Sequence, residues 1–360
     1  MRRACHGAAA RTHAPAADAA RRVRAQAGFS LVELMVSMSI GLVSILAVSA
    51  VLLSSSNIYR VSDNRARMQE SARFGITEME RDVRMAGYMG CFNIDMFPSR
   101  YTNLAKDAAN YENNYRMWVG GYEAGSGSGW TPGIDAKVGS GGAAPIAGND
   151  VLVVRLPAGP TVPVVGTMPS SAAPIQVAGV KGFRVGGLAI VSDCRYANVF
   201  AVTQIPADKK IVHAANRNTA AQLTRVFSGA AGATVTPLTT VAYYVGAASD
   251  GVAGNRSLYR QDHLDVPEEL ADGVEQMQLE YGIDTDATVD GITNKFVTAD
   301  KVGGASVTAV KVSLLLKSPL DKITLKEQVY NFDGKVDVKA PDRRLYTPYT
   351  TTIALRNRVN

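Results

Sequence analysis

The sequence predicts an α+β protein, in which one long N-terminal helix is followed by an antiparallel β domain. Three observations predict it. Residues 29–53 form an apolar run with a single charge. Apolar residues then recur at helical steps as far as residue 86. Beyond that, short β-type runs bounded by turn residues replace helical patterns. With 46% apolar and 19% charged residues in 360, the chain can bury a sizeable core and global disorder is excluded.

Residues 1–28 read as a basic leader. They hold six Arg and one acid, Asp18, so most of the net charge of +6 lies there. The other 332 residues carry 32 basic and 31 acidic groups. A basic excess confined to a leader gives no support to a phosphate-binding surface, and no nucleic-acid partner is predicted.

The run from Phe29 to Leu53 has 25 residues, no proline and one charge, Glu33. As a helix it spans about 37 Å, enough to cross a hydrocarbon layer of about 30 Å. The Arg-rich leader stays cytoplasmic, which places everything after the span outside. A secretory signal peptide has a similar outline, and Ala47-Val48-Ser49-Ala50 offers it a cut site. Against it stand the length of the run, the glutamate in its first turn, and the helical patterning beyond the cut. A carboxylate within a span costs about 2.5–3.5 kcal/mol near its centre and needs a partner. Nothing basic lies in the run, so a free α-amino group created by cleavage just before Phe29 is the candidate.

Gly28-Phe29-Ser30-Leu31-Val32-Glu33-Leu34-Met35-Val36 resembles the class III signal of type IV prepilins and their type II secretion relatives. The resemblance implies that a prepilin peptidase cuts between Gly28 and Phe29 and methylates the new amino terminus of Phe29. It implies that Glu33 docks on the N-terminal amine of a neighbouring subunit during assembly. The leader exceeds the family's commonest length, so either it is extended or translation starts downstream of Met1.

From residue 54 the composition turns polar. Val61, Met68, Ala72, Ile76, Met79, Val83 and Ala86 form the stripe of an amphipathic helix laid on a core. Glu80 and Arg84 are an i,i+4 pair on another face, and Gly87 is a natural C′ residue. One helix over 29–86 is about 85 Å long. An unrelated anchor with an amphipathic stalk would share the stripe but leave Glu33 unexplained.

The β domain is predicted over 87–360. Within it, residues 98–149 are rich in Tyr, Asn, Gly and Ser and read as a surface insertion, variable or mobile. Five prolines between 157 and 174 mark a second irregular stretch. Strands are predicted at 151–156, 188–192, 199–205, 222–227, 241–245, 274–283, 307–316 and 350–355, with 307–316 central.

Further patches narrow the resemblance. Residues 84–91 (RMAGYMGC), 192–195 (SDCR), 243–245 (YYV), 257–260 (SLYR), 281–286 (YGIDTD) and 350–358 (TTTIALRNR) are similar, in order, to the larger minor pilins of the PilW type. The segment 98–149 matches nothing in that pattern.

Cys91 and Cys194 fall outside the inner membrane, where disulfides persist, and no other Cys of the mature chain competes, which favours a bridge over two free thiols. Asp284, Asp286 and Asp290 sit at a spacing that could converge on calcium. The EF-hand pattern fails, since Thr288 and Val289 stand where an acid and glycine belong, so an acidic turn is favoured. No hydrolase, zincin, P-loop or dinucleotide motif is present, and the chain is not expected to be an enzyme. His213 and His263 read as surface or loop residues, and Pro341-Asp342-Arg343-Arg344 as a solvated turn.

The expected protein is therefore a minor pilin-like subunit that primes or joins a type IV pilus, supporting twitching motility and adhesion. Its partners would be prepilin peptidase, other minor and major pilins, and a tip adhesin. It would cross the inner membrane once before assembly, with its globular domain periplasmic or extracellular. Two alternatives remain open at this point: a type II secretion pseudopilin of the J type, and a membrane-anchored periplasmic binding module.

Overall fold

The computed structural model describes residues 28, 30–94, 97–125, 127–286 and 290–355. The chain forms two compact units, one ending at Ser56 and the other beginning at Asn57. A single 55-residue helix, α1 (Leu31–Met85), contributes to both. Ser30 caps it, its hydroxyl accepting the Glu33 backbone N–H at 3.1 Å. At the far end Gly87 takes φ +71°, the left-handed conformation that stops a helix without Cβ strain.

In the second unit, Met68, Ala72, Ile76, Met79, Val83 and Ala86 are all buried in the main core, and Val61 packs at its margin. The predicted stripe is thus the face that meets the β domain. The approach is close at Gly75, where an added Cβ would stand 2.9 Å from Leu258 Cδ2 and 3.3 Å from Ala271 Cβ. Glu80 and Arg84 pair on the helix surface.

The strands run in order β1 (Tyr101–Asn103), β2 (Val119–Ala124), β3 (Trp130–Thr131), β4 (Val151–Pro157), β5 (Val162–Pro163) and β6 (Ile175–Gln176). They continue through β7 (Leu188–Ser192), β8 (Ala197–Ala201), β9 (Lys210–Ile211), β10 (Thr234–Ala247), β11 (Arg256–Asp262) and β12 (Glu268–Asp272). Last come β13 (Val274–Asp284), β14 (Lys295–Val297), β15 (Ser306–Lys317), β16 (Val329–Phe332), β17 (Lys335–Lys339) and β18 (Tyr346–Ala354). One sheet has the order β1-β8-β7-β10-β4-β2-β3, with β5 and β11 also pairing with β10 and β12 with β11. The 14-residue β10 is its spine: its first half pairs with β7 and β5, its second half with β4 and β11. A second, antiparallel sheet has the order β14-β13-β15-β18, so 307–316 lies centrally as expected. The core places side chains of α1 and of both sheets in one cluster.

Four expectations are corrected. Residues 98–149 do not form a surface excursion: Tyr111, Tyr115, Trp118 and Tyr122 are buried, and β2 pairs with β4 from Val119↔Val154 to Tyr122↔Val151. Their aromatic rings carry enough apolar area to enter the core from turns and one strand, although their steps of four, three and four would suit a helix. Residues 222–227 are not a strand, because the backbone N–H of Leu223 goes to Ser171 O and that of Thr224 to the Asn198 side chain. His213 is buried, its ring nitrogens 2.9 and 3.0 Å from the Ala221 and Ala173 carbonyls. Arg344 is not a solvated turn residue but bonds Asn255 Oδ1 at 2.9 Å and Pro319 O at 2.8 Å.

Candidate functional site

The N-terminal segment has two properties that bear on function. Every large apolar side chain from Leu31 to Leu53 is more than half exposed. Such a continuous apolar surface calls for lipid or for other apolar helices. Its serines make little polar demand, because the hydroxyls of Ser37, Ser39 and Ser44 donate to the carbonyls four residues earlier. Glu33 remains as the sole charge of this stretch, exposed in the first helical turn where the helix dipole favours an anion. Gly28 is exposed and precedes the helix, with nothing within 4 Å of the place a Cβ would occupy. Phe29 lies outside the described residues.

In the β domain Cys91 and Cys194 are joined by a disulfide with Cα atoms 5.0 Å apart. The bridge ties the segment after α1 to the β7–β8 turn, where Cys194 has φ +65°. Asp82 is buried on the inner face of α1. It accepts hydrogen bonds from the Tyr243 hydroxyl at 2.7 Å and from Arg260 Nε and Nη2 at 3.0 and 2.9 Å. Sequence reasoning missed this network; the one signal for it was an acid at a position continuing the apolar stripe.

Comparison with known proteins adds two matches to this geometry. Residues 242–357 match the model of the Type IV Pilus-assembly protein W family, and residues 23–49 match the prokaryotic N-terminal methylation motif. The chain thus carries a PilW region and an N-terminal methylation motif. No curated protein matches it. A type IV-like pilin from Thermus thermophilus aligns over 82% of this chain and 98% of its own at 9% identity, with a TM-score of 0.30, too low to carry an argument.

The PilW region supplies the whole second sheet and the Arg260 that grips α1 through Asp82. The class III signal and the apolar helix fit membrane anchoring and incorporation into a pilus.

The same region contains the acidic cluster. Oxygens of Asp284, Asp286 and Asp290 lie within 4.8 Å of one another, so the spacing does bring these carboxylates together. Asp284 is already engaged: it accepts the N–H groups of Asp286 at 3.1 Å, Asp290 at 3.0 Å and Gly291 at 2.8 Å. Burial opposes its charge, yet these donors hold its carboxyl below the usual range. A cation would compete with them for the same lone pairs, and residues 287–289 lie outside the described structure.

His263 lies in the turn after β11, a loop residue as expected. Its ring is buried beside Asp262, with Nδ1 3.3 Å from the carboxylate and 3.2 Å from the Thr239 hydroxyl. Burial works against the Asp262 charge, but bonds from His263, Thr239 and the Leu264 N–H prevail and bring its carboxyl down to about 2. This arrangement fixes the turn after β11.

Proposed function

We infer that the chain is a minor pilin-like subunit that primes or joins type IV pilus assembly. The observation that carries the reading is the pairing of an exposed apolar helix bearing one charge, Glu33, with a PilW region at the other end of the chain. In this reading a prepilin peptidase cuts after Gly28, in the segment before the helix begins, and the new Phe29 terminus is methylated. The mature chain crosses the inner membrane once, with the β domain periplasmic until it enters a filament. Glu33 then meets the terminal amine of another pilin as the apolar helices bundle, trading lipid for packed side chains and a charge pair in a medium of low dielectric. Support for twitching motility and adhesion follows from membership of such a filament.

The test is the N-terminal sequence and intact mass of the protein from membranes that contain a prepilin peptidase. A chain beginning at N-methylated Phe29 is expected. One beginning near Ala50 would mean ordinary export and end the filament reading. Copurification with secretion-system pseudopilins rather than pilus subunits would move it to the type II secretion alternative.

A further inference from the structure

Beside the disulfide, the starts of two strands place two arginines around one aromatic ring. Arg100 immediately precedes β1 and Tyr196 immediately precedes β8, and these strands pair in parallel from Tyr101↔Ala197 onward. Arg225 comes from the irregular segment that follows, held there because the buried Asn198 accepts the Thr224 N–H at 2.7 Å and bonds its hydroxyl. The Arg225 guanidinium carbon lies 4.4 Å from the centre of the Tyr196 ring. That of Arg100 lies 5.6 Å from the same centre and 4.9 Å from the centre of Phe97. Arg100, Tyr196 and Arg225, with Ser99, Thr102 and Thr224, line an open cavity of about 430 Å³.

Arg225 forms an ion pair, with its Nη1 3.6 Å from the carboxylate of Asp193, a charge contact beyond hydrogen-bond distance. The other Asp193 oxygen is taken by the N–H groups of Arg195 at 3.1 Å and Tyr196 at 2.9 Å. Among the described residues Arg100 pairs with no carboxylate. Stacking on aromatic rings orients a guanidinium while leaving its edge N–H groups free to donate. Two such edges and the hydroxyls of Ser99 and Thr102 around a cavity larger than a bare ion suit an oxyanion together with the hydroxylated ring that bears it.

We propose that this cavity binds an anionic sugar unit, one carrying a phosphate, sulfate or carboxylate. The oxyanion is held between Arg100 and Arg225, and the hydroxyls of Ser99 and Thr102 meet those of the sugar. A polynucleotide is disfavoured because Phe97 and Tyr196 already carry guanidiniums, so a base stacking there would have to displace one. The proposal is independent of the pilus reading, since it rests on the β domain alone.

The test is calorimetric titration of the full-length protein in non-ionic detergent at low salt with glucose 6-phosphate, glucose 6-sulfate, glucuronate and glucose. Binding of the anionic sugars and not of glucose is expected. Arg100→Gln and Arg225→Gln should each weaken it about tenfold, the scale of losing charge-assisted bonds. Arg225→Lys should also weaken it, because a point charge replaces a stacked fork, and Arg343→Gln should leave it unchanged. Thermal melting of each variant checks folding, and the lysine variant, which keeps charge and stem, guards against a folding artefact. Absence of binding by all three anionic sugars would overturn the proposal, as would equal loss in Arg343→Gln. So would binding of an oligothymidylate in place of the sugars, or of inorganic phosphate as tightly as the sugar phosphate.

Discussion

Asp82 shows how a single residue binds the helix to the sheet. Its carboxylate is buried on an apolar face and is tolerable there because Arg260 and Tyr243 satisfy it. Asp82→Ala would leave the Arg260 charge largely buried and unpaired, and should lower stability by about 3–5 kcal/mol in urea denaturation. Replacing both partners, Asp82→Leu with Arg260→Met, should lose much less than either change alone. Asp150 is a second such residue. It accepts the N–H groups of Ala124 at 2.8 Å and Leu279 at 2.7 Å, stitching β2 to β13. Burial nevertheless outweighs these bonds and pushes its carboxyl up to about 7. Because the folded value exceeds the unfolded one, its contribution is complete below about pH 4 and is lost as pH rises through about 7. The fall in melting temperature between those pH values should therefore be shallower in Asp150→Asn than in the wild type.

At the scale of elements, the segment 98–149 is held by side chains rather than by long ladders. Arg155 on β4 is buried, and burial lowers its pKa to about 10. Its guanidinium nonetheless donates to the carbonyls of Tyr111 and Met117, with Nε 3.0 Å from Tyr111 O. The corner at Asn149 adds more, its side chain accepting the Met277 N–H at 2.9 Å and its carbonyl the Trp130 indole N–H at 2.7 Å. The disulfide acts on the same scale. It closes a sequence separation of 103 residues, and the chain-entropy model gives such a loop about 4–5 kcal/mol. Replacing Cys91 and Cys194 together with Ser should lower the urea midpoint accordingly, and reductant should lower the wild type to the same value.

At the scale of the whole molecule, the chain separates a part that needs other molecules from a part that is self-sufficient. The apolar stretch to Leu53 buries none of its large side chains, whereas the domain from Asn57 onward builds its own core. A change in the first part should therefore spare stability and alter assembly. Glu33→Ala should leave a protein that inserts in the membrane and melts normally but is missing from sheared filaments. Undiminished filament incorporation of that variant would remove the docking role from Glu33.

The sequence by itself determined the fold class, the methylation motif, the extent of the helix and the face it buries. Each of these is written in local spacing: a run long enough for a bilayer, a stripe at helical steps, a glycine where a left-handed residue ends the helix. The same local spacing located β13 and β15 over most of their length and β18 over residues 350–354. Only the tertiary structure decided the placement of residues 98–149: Tyr111, Tyr115, Trp118 and Tyr122 recur at helical steps, yet turns and a strand form there and the rings are buried by neighbours far along the chain. It alone paired Asp82 with Arg260 across a separation of 178 residues and gathered Arg100, Tyr196 and Arg225 around one cavity. These meetings depend on the order of strands in the sheet, and strand order is settled by packing between distant segments, which no local pattern records.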